Sequence, residues 1–292
     1  MTTTYLERLG ARTRAAGTVL CLGLDPDPET IPERFAKGVA GLERFAELIL
    51  EAALPYAAAV KPNLAFFEAF GSAGIAALER LRATIPADIP VIADAKRGDI
   101  GSTAARQAVA LFDVLGADAV TVSPYLGEEA IRPLLEREDR FAYVLCRTSN
   151  PGAGELQDLR VPHEGRGDGG EGVGSEPLHE HVARRAAGWG PGGTVGLVVG
   201  ATAPEELATI RRVAPGLPFL VPGVGAQGGA IEPVLEHGPA NARPGAGRPG
   251  GGLLVNVSRG IAGAITDVTG GDPGEAIARA ASEWARRLPV LT

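Results

Sequence analysis

The chain is expected to fold as a (β/α)8 TIM barrel carrying Gly-rich loop insertions, and three observations predict it. Eight short apolar runs alternate with stretches of helical periodicity along the 292 residues. Polar or charged residues close most of those runs, and a barrel gathers its functional groups at the C-terminal ends of its strands. Glycine-rich loops follow the last two runs, where barrels often bind phosphate. A doubly wound open sheet is the alternative for the same alternation. Length allows one large domain or two small ones, and eight consecutive units favour a single barrel domain spanning 1–292.

A first helix is predicted over 4–16. Thr18 to Asp25 reads as strand one, ending in a carboxylate and stopped by Pro26 and Pro28. A helix over about 39–54 leads to strand two, Ala57 to Asn63, which carries Lys61 near its end. Helix 64–84 precedes strand three, Ile89-Pro90-Val91-Ile92-Ala93, a buried parallel strand by its composition. Helix 102–115 is expected to start at a Ser102 cap. Strand four is Asp118 to Val122, followed by a helix over Glu128–Glu136. Strand five, Phe141 to Cys146, ends in Arg147-Thr148-Ser149-Asn150-Pro151-Gly152.

Between His163 and Ser175 six of thirteen residues are glycine, which predicts a mobile loop ahead of helix 176–188. Strand six is Thr194 to Val199 and helix 204–213 follows. Strand seven, Pro218 to Val221, opens into Pro222-Gly223-Val224-Gly225-Ala226-Gln227-Gly228-Gly229. A second low-complexity stretch, Gly238 to Gly252, is expected to act as a lid over that loop. Strand eight, Leu253 to Ser258, ends in Arg259-Gly260, and helix 273–287 completes the pattern.

Composition narrows the function classes. A net charge of -7 and no basic stripe argue against a nucleic-acid partner. No apolar run reaches membrane-spanning length, and the N-terminus lacks a signal-peptide core, so a cytoplasmic protein without a membrane partner is expected. Cys21 and Cys146 lie inside predicted strands and read as buried, reduced core residues. His179-x-His181 mimics a metal pair, but no third ligand lies near it, so solvated histidines are expected and no metal site.

Chemistry concentrates in Asp94-Ala95-Lys96-Arg97-Gly98-Asp99, with Ile100 and Thr103 behind it. Strand alternation points Asp94 and Lys96 to one face, and Gly98 is expected to turn the chain before Asp99. A solvated strand-end salt bridge is the bland explanation. Against it, only three of 28 basic residues are lysines, Lys37, Lys61 and Lys96, so arginine serves wherever a generic positive charge suffices. Lysine can give up a proton, and arginine effectively cannot. At the far end, glycines after strand seven let backbone N–H groups approach phosphate, and Arg259 can pair with two of its oxygens.

Together these motifs resemble the orotidine 5'-phosphate decarboxylase family. Leu24-Asp25, Lys61, Asp94-x-Lys96-x-x-Asp99-Ile100-x-x-Thr103, Thr148-Ser149, Pro222-x-x-x-x-Gln227 and Arg259 stand in the family's order. The Lys-Arg-Gly-Asp form of the central motif and Ser149-Asn150-Pro151-Gly152 resemble its second bacterial branch. The resemblance implies cofactor-free conversion of orotidine 5'-phosphate to UMP and CO2 in pyrimidine biosynthesis. It implies that Lys96 protonates C6, that Asp94 faces the substrate carboxylate, and that Asp25 and Lys61 hold ribose hydroxyls. Ser149 would read the pyrimidine edge, and Gln227 and Arg259, with the Pro222 loop, would hold the phosphate. Asp99, Ile100 and Thr103 would enter the neighbouring subunit's site, making a homodimer with shared active sites. The Gly-rich insertions at 163–175 and 238–252 depart from the pattern.

Two rivals stand beside it. A metal-dependent phosphosugar decarboxylase or aldolase could use similar carboxylates on the same barrel, but Lys61 and Lys96 crowd them with cations. A non-catalytic phospholigand-binding barrel would explain the glycine loops and leave Lys96 without a role.

Overall fold

The computed structural model describes residues 3–164, 173–225, 227–240, 249–266 and 271–291. Among these, eight strands form one parallel sheet: β1 Leu20–Leu24, β2 Ala59–Pro62, β3 Ile92–Arg97, β4 Ala119–Val122, β5 Phe141–Arg147, β6 Val195–Val199, β7 Phe219–Val221 and β8 Leu254–Val257. Their order is β2-β1-β8-β7-β6-β5-β4-β3. The outer strands β2 and β3 meet through parallel bridges Val60–Val91 and Asn63–Asp94, which close the sheet into a barrel.

Alternation along each strand divides the core in two. Outward residues such as Leu20, Leu22, Val120, Val122, Leu197 and Val255 pack under the surrounding helices in one large cluster. Inward residues form a second cluster, with Cys21, Ala59, Ile92, Phe141, Tyr143 and Leu254 filling the N-terminal half of the barrel. The first helix, Tyr5–Ala16, belongs to that inner cluster. It begins with a capping box between Thr4 and Glu7 and ends on left-handed Gly17. Tyr5 stacks on Phe141 with ring centroids 4.8 Å apart, and its hydroxyl lies 3.1 Å from that of Tyr143. Arg8 pairs with Asp118 at 2.9 Å, and Arg12 donates to the carbonyls of Ala57 and Leu54. This helix therefore plugs the N-terminal mouth of the barrel.

Several predicted boundaries move. The expected helix 64–84 is two helices, Leu64–Glu68 and Gly71–Thr84, because Gly71 takes φ +60° and breaks the run. Ser102 does not cap the next helix: Gly101–Ala108 starts behind Ile100, with no side-chain cap, and passes into a π-helical turn at Val109–Val114. Only Arg132–Leu135 of the predicted 128–136 helix is regular. Strand three runs later than predicted, so Asp94 and Lys96 lie within it. The expected mobile loop 163–175 has an ordered base, since Arg160–Glu164 pairs antiparallel with Val173–Pro177; residues 165–172 lie outside the described residues. His179 and His181 sit on the helix Leu178–Ala186 rather than on a loop, and His181 remains partly exposed. His179 is buried with Nδ1 2.9 Å from the Gln157 carbonyl, and His181 lies 3.1 Å from Glu176.

The lid expectation for 238–252 is overturned by topology. The segment joins a helix, Ile231–His237, to the start of β8, which places both of its ends at the N-terminal mouth. Its described ends confirm that placement. Pro249 packs on Gly10 of the first helix, a side chain at Gly250 would meet Val19 just before β1, and Gly252 abuts Pro218 just before β7. Residues 241–248 lie outside the described residues. Cys21 and Cys146 are both free and buried, and burial pushes the Cys21 thiol up to about 12. Among the described residues no helix is long and apolar enough to cross a membrane.

Candidate active site

On β2, β3, β4 and β8 the inward positions nearest the C-terminal ends are polar, and together with Leu145, Val198 and Leu220 of β5, β6 and β7 they line a cavity of about 310 Å³. Lys61 on β2, Asp94 and Lys96 on β3, Thr121 on β4 and Asn256 on β8 reach it from the barrel wall. Asp25, Ser149, Pro222, Gln227 and Arg259 reach it from the loops that follow their strands. Parallel register brings the charged groups together: Gly23 pairs with Lys61, and Asn63 with Asp94. Gly23 leaves room there, since a side chain at that position would run into Asn256 and Ser258.

Asp94 is the hub. One carboxylate oxygen lies 2.5 Å from the Lys61 ammonium and the other 2.5 Å from that of Lys96. Lys61 is only 4 % exposed, whereas the Lys96 side chain is half exposed to the cavity. Burial alone would drive Asp94 towards its neutral form. The charges of Lys61 and Lys96 outweigh that and hold its pKa well below the ordinary carboxylate range. Burial likewise opposes the Lys61 ammonium, but Asp94 and then Asp25 outweigh it and raise its pKa. The result is a cation–anion–cation row whose Lys61 and Asp94 are buried and whose Lys96 end faces the cavity.

Thr121 holds the row in place. Its hydroxyl donates to Asp94 at 2.9 Å and accepts from the backbone N–H groups of Ala95 and Lys96 at 3.1 and 3.0 Å. Lys96 adopts φ +48°, the single non-glycine residue in that region among those described. The left-handed turn thus falls on the lysine itself, two residues before the expected Gly98. Gly98 instead passes close to the Ser123 carbonyl. Just beyond Lys96, Arg97 pairs with Glu68 and anchors the end of β3 to the neighbouring helix.

The loops after β5, β7 and β8 also converge on the cavity. Ser149 donates to the Gln227 side-chain oxygen at 2.9 Å, joining the loops after β5 and β7. The Ser149 loop is clasped by Gln157, which accepts from the Thr148 N–H at 2.8 Å and donates to its hydroxyl at 2.9 Å. Gly223, at φ +96°, leaves no room for a side chain beside Gln227 and Ser149. Arg259 begins a short helix after β8, exposed at the rim of the cavity.

Asp99, Ile100 and Thr103 do not line this cavity. Ile100 is 65 % exposed and Thr103 is exposed; Tyr125 and Leu126 also stand out, on the following loop, which is tied to this one by the Asp99 N–H to the Ala130 carbonyl. Sequence reasoning missed Asn63, Thr121, Asn256 and Ser258. Thr121 and Asn256 each stand alone between valines in an apolar strand, and that isolated polarity at an inward position was the available signal.

A family model described as orotidine 5'-phosphate decarboxylase / HUMPS family matches residues 18–271. The chain is 45 % identical to the orotidine 5'-phosphate decarboxylase of Thermomicrobium roseum over 285 residues, 97 % of this chain and 95 % of that one. It is 47 % identical to the enzyme of the same name from Roseiflexus castenholzii over 270 residues, covering 92 % and 90 %. Among solved structures, the Leishmania donovani OMP decarboxylase superposes with a TM-score of 0.78 at 39 % identity, covering 97 % of this chain and 98 % of the other.

Proposed function

Because this chain belongs to the orotidine 5'-phosphate decarboxylase / HUMPS family, we infer that its cavity converts orotidine 5'-phosphate to UMP and CO2. The observation that carries the reading is the Lys61–Asp94–Lys96 row at the bottom of a cavity whose far rim bears Gln227 and Arg259. Each subunit is a single barrel domain.

The substrate carboxylate is set against Asp94, which its two lysines keep ionised. Two like charges about 4 Å apart repel by about 4 kcal/mol at an effective dielectric near 20. Breaking the C6–carboxylate bond releases CO2, relieves that repulsion and leaves the electron pair on C6. The Lys96 ammonium then delivers its proton to C6 and is reprotonated from water. No ring carbonyl is suitably placed to delocalise the pair, so fixed charge must stabilise it electrostatically. The step needs no cofactor. Asp25 and Lys61 take the ribose hydroxyls, and Asp25 has a buried carboxylate oxygen without a hydrogen-bond partner among the described residues, free to accept one. Ser149 reads the pyrimidine edge, and the Pro222 loop, Gln227 and Arg259 hold the phosphate. Binding energy gained at that remote group helps hold the reacting carbon in place.

The site is completed in a homodimer, with Asp99, Ile100 and Thr103 of each subunit entering the other's cavity. The exposure of Ile100, Tyr125 and Leu126 on adjoining loops supports this. Location in the cytoplasm is consistent with two buried free cysteines.

The test is the absorbance of orotidine 5'-phosphate mixed with catalytic amounts of purified protein. A spectrum moving to that of UMP, with a strong chelator present, is the expected result. An unchanged spectrum would leave only a phospholigand-binding barrel.

A further inference from the structure

The two phosphate loops have no strand pairing to hold them together. Pairing between β7 and β8 stops at Val221–Val255, and Gln227 and Arg259 lie beyond it. Towards β6 the first loop is tied by the Ala201 N–H to the Pro222 carbonyl, and towards β5 by Ser149 to Gln227. Towards the second loop, the contact comes from a distant helix, Pro273–Arg287.

Trp284 of that helix is buried between the two loops. Its indole N–H donates to the Gly260 carbonyl at 3.1 Å, next to Arg259. A side chain at Gly260 would come within 2.9 Å of the indole Nε1, and one at Gly225 within 2.9 Å of Cη2 further along the same edge, with Cζ2 3.1 Å from both. Both glycines are thus flat seats for one ring. The Arg287 guanidinium lies 4.4 Å from the ring centroid and adds a cation–π contact.

We infer that Trp284 is a positioning residue that sets the spacing of the two phosphate loops, and hence of Gln227 and Arg259. The inference rests on the proposed phosphate role of those two residues. A rigid aromatic with two torsions fixes a distance at small entropic cost, whereas glycine loops alone would sample many. Phenylalanine lacks the N–H and the fused-ring edge, Nε1 to Cη2, that both seats touch, so it loosens the spacing while preserving burial.

The test compares UMP and uridine binding by calorimetry in wild type, Trp284→Phe and Arg259→Ala, with thermal unfolding as the check of fold. Trp284→Phe is expected to weaken UMP binding about fivefold, the scale of one lost hydrogen bond, and to leave uridine binding unchanged. Arg259→Ala showing a UMP-selective loss while Trp284→Phe shows none overturns the inference alone. Equal losses for UMP and uridine in Arg259→Ala overturn the phosphate reading and the inference with it. A second measurement leaves Trp284 intact. In a Trp189→Phe background, emission excited at the indole edge comes from Trp284, because the chain has two tryptophans. UMP and inorganic phosphate should shift it and uridine should not; emission unmoved by saturating UMP contradicts the inference.

Discussion

The two mouths of the barrel are built from the same eight strands and are opposite in character. At the N-terminal mouth the inward positions are Cys21, Ala59, Ile92, Phe141 and Leu254, and the first helix drives Tyr5, Leu6 and Leu9 into them. At the C-terminal mouth, one or two inward positions along, stand Lys61, Asp94, Lys96, Thr121 and Asn256 around an open cavity. Strand alternation gives both mouths equal access to the barrel axis, so the difference lies in what the positions carry. Apolar groups there close the barrel and stabilise it. Charged groups there keep it open, and their mutual repulsion and desolvation must be offset by pairing among themselves. The N-terminal mouth thus supplies the rigidity against which the C-terminal mouth holds three charges within hydrogen-bond distance.

The sharpest way to test this division is to disturb one mouth and read both activity and stability. Lys96→Arg keeps the charge at the open mouth and should lower turnover by about 10²–10⁴, the usual contribution of a general acid, with little change in melting temperature. A variant retaining most of its activity would remove Lys96 as proton donor.

The open mouth is also the one argued to be incomplete in a single subunit. Lys96→Ala and Asp99→Ala homodimers should each be nearly inactive. When the two are unfolded and refolded together, half the dimers are mixed and half of their sites are whole, so about a quarter of wild-type activity should return. No recovery in a mixture shown by mass spectrometry to contain mixed dimers would place every catalytic group within one subunit.

At the closed mouth the expected effect is on stability. Tyr5→Phe leaves the buried Tyr143 hydroxyl without its partner and should cost about 1–3 kcal/mol in denaturant unfolding, with kcat unchanged. A fall in kcat without loss of stability would show that the mouths are coupled rather than divided.

The smallest effect concerns pH. The folded-state pKa of Asp94 lies below its ordinary 3.8, so its ion pairing stabilises the fold above that value and is lost as pH falls through the lowered pKa. The pKa of Lys61 lies above its ordinary 10.5, so its contribution is full below 10.5 and is lost as pH rises through the raised pKa. The melting-temperature difference between wild type and Asp94→Asn should therefore stay flat from about pH 5 to about pH 9. A difference that fades as the pH is lowered from neutrality would mean that Asp94 takes up a proton there.

The amino-acid sequence by itself determined the eight strand–helix units, the inward pairing of Asp94 with Lys96, and the glycine and arginine signature after the last two strands. These are legible because they depend on local periodicity and on residue chemistry at strand ends, which a linear pattern records directly. Only the tertiary structure decided that the first helix is a plug rather than an outer layer, since its apolar face fits either place. Composition marked 238–252 as a low-complexity stretch, while the direction of the chain between helix and strand decided at which mouth its ends lie. The left-handed turn fell on Lys96 because Thr121, 25 residues away, accepts both of the neighbouring N–H groups. Nothing in the local pattern of helix 273–287 singles out Trp284; folding set its ring against Gly225 and Gly260. Each of these depends on which distant groups meet, and that is settled by packing and barrel closure rather than by any local run of residues.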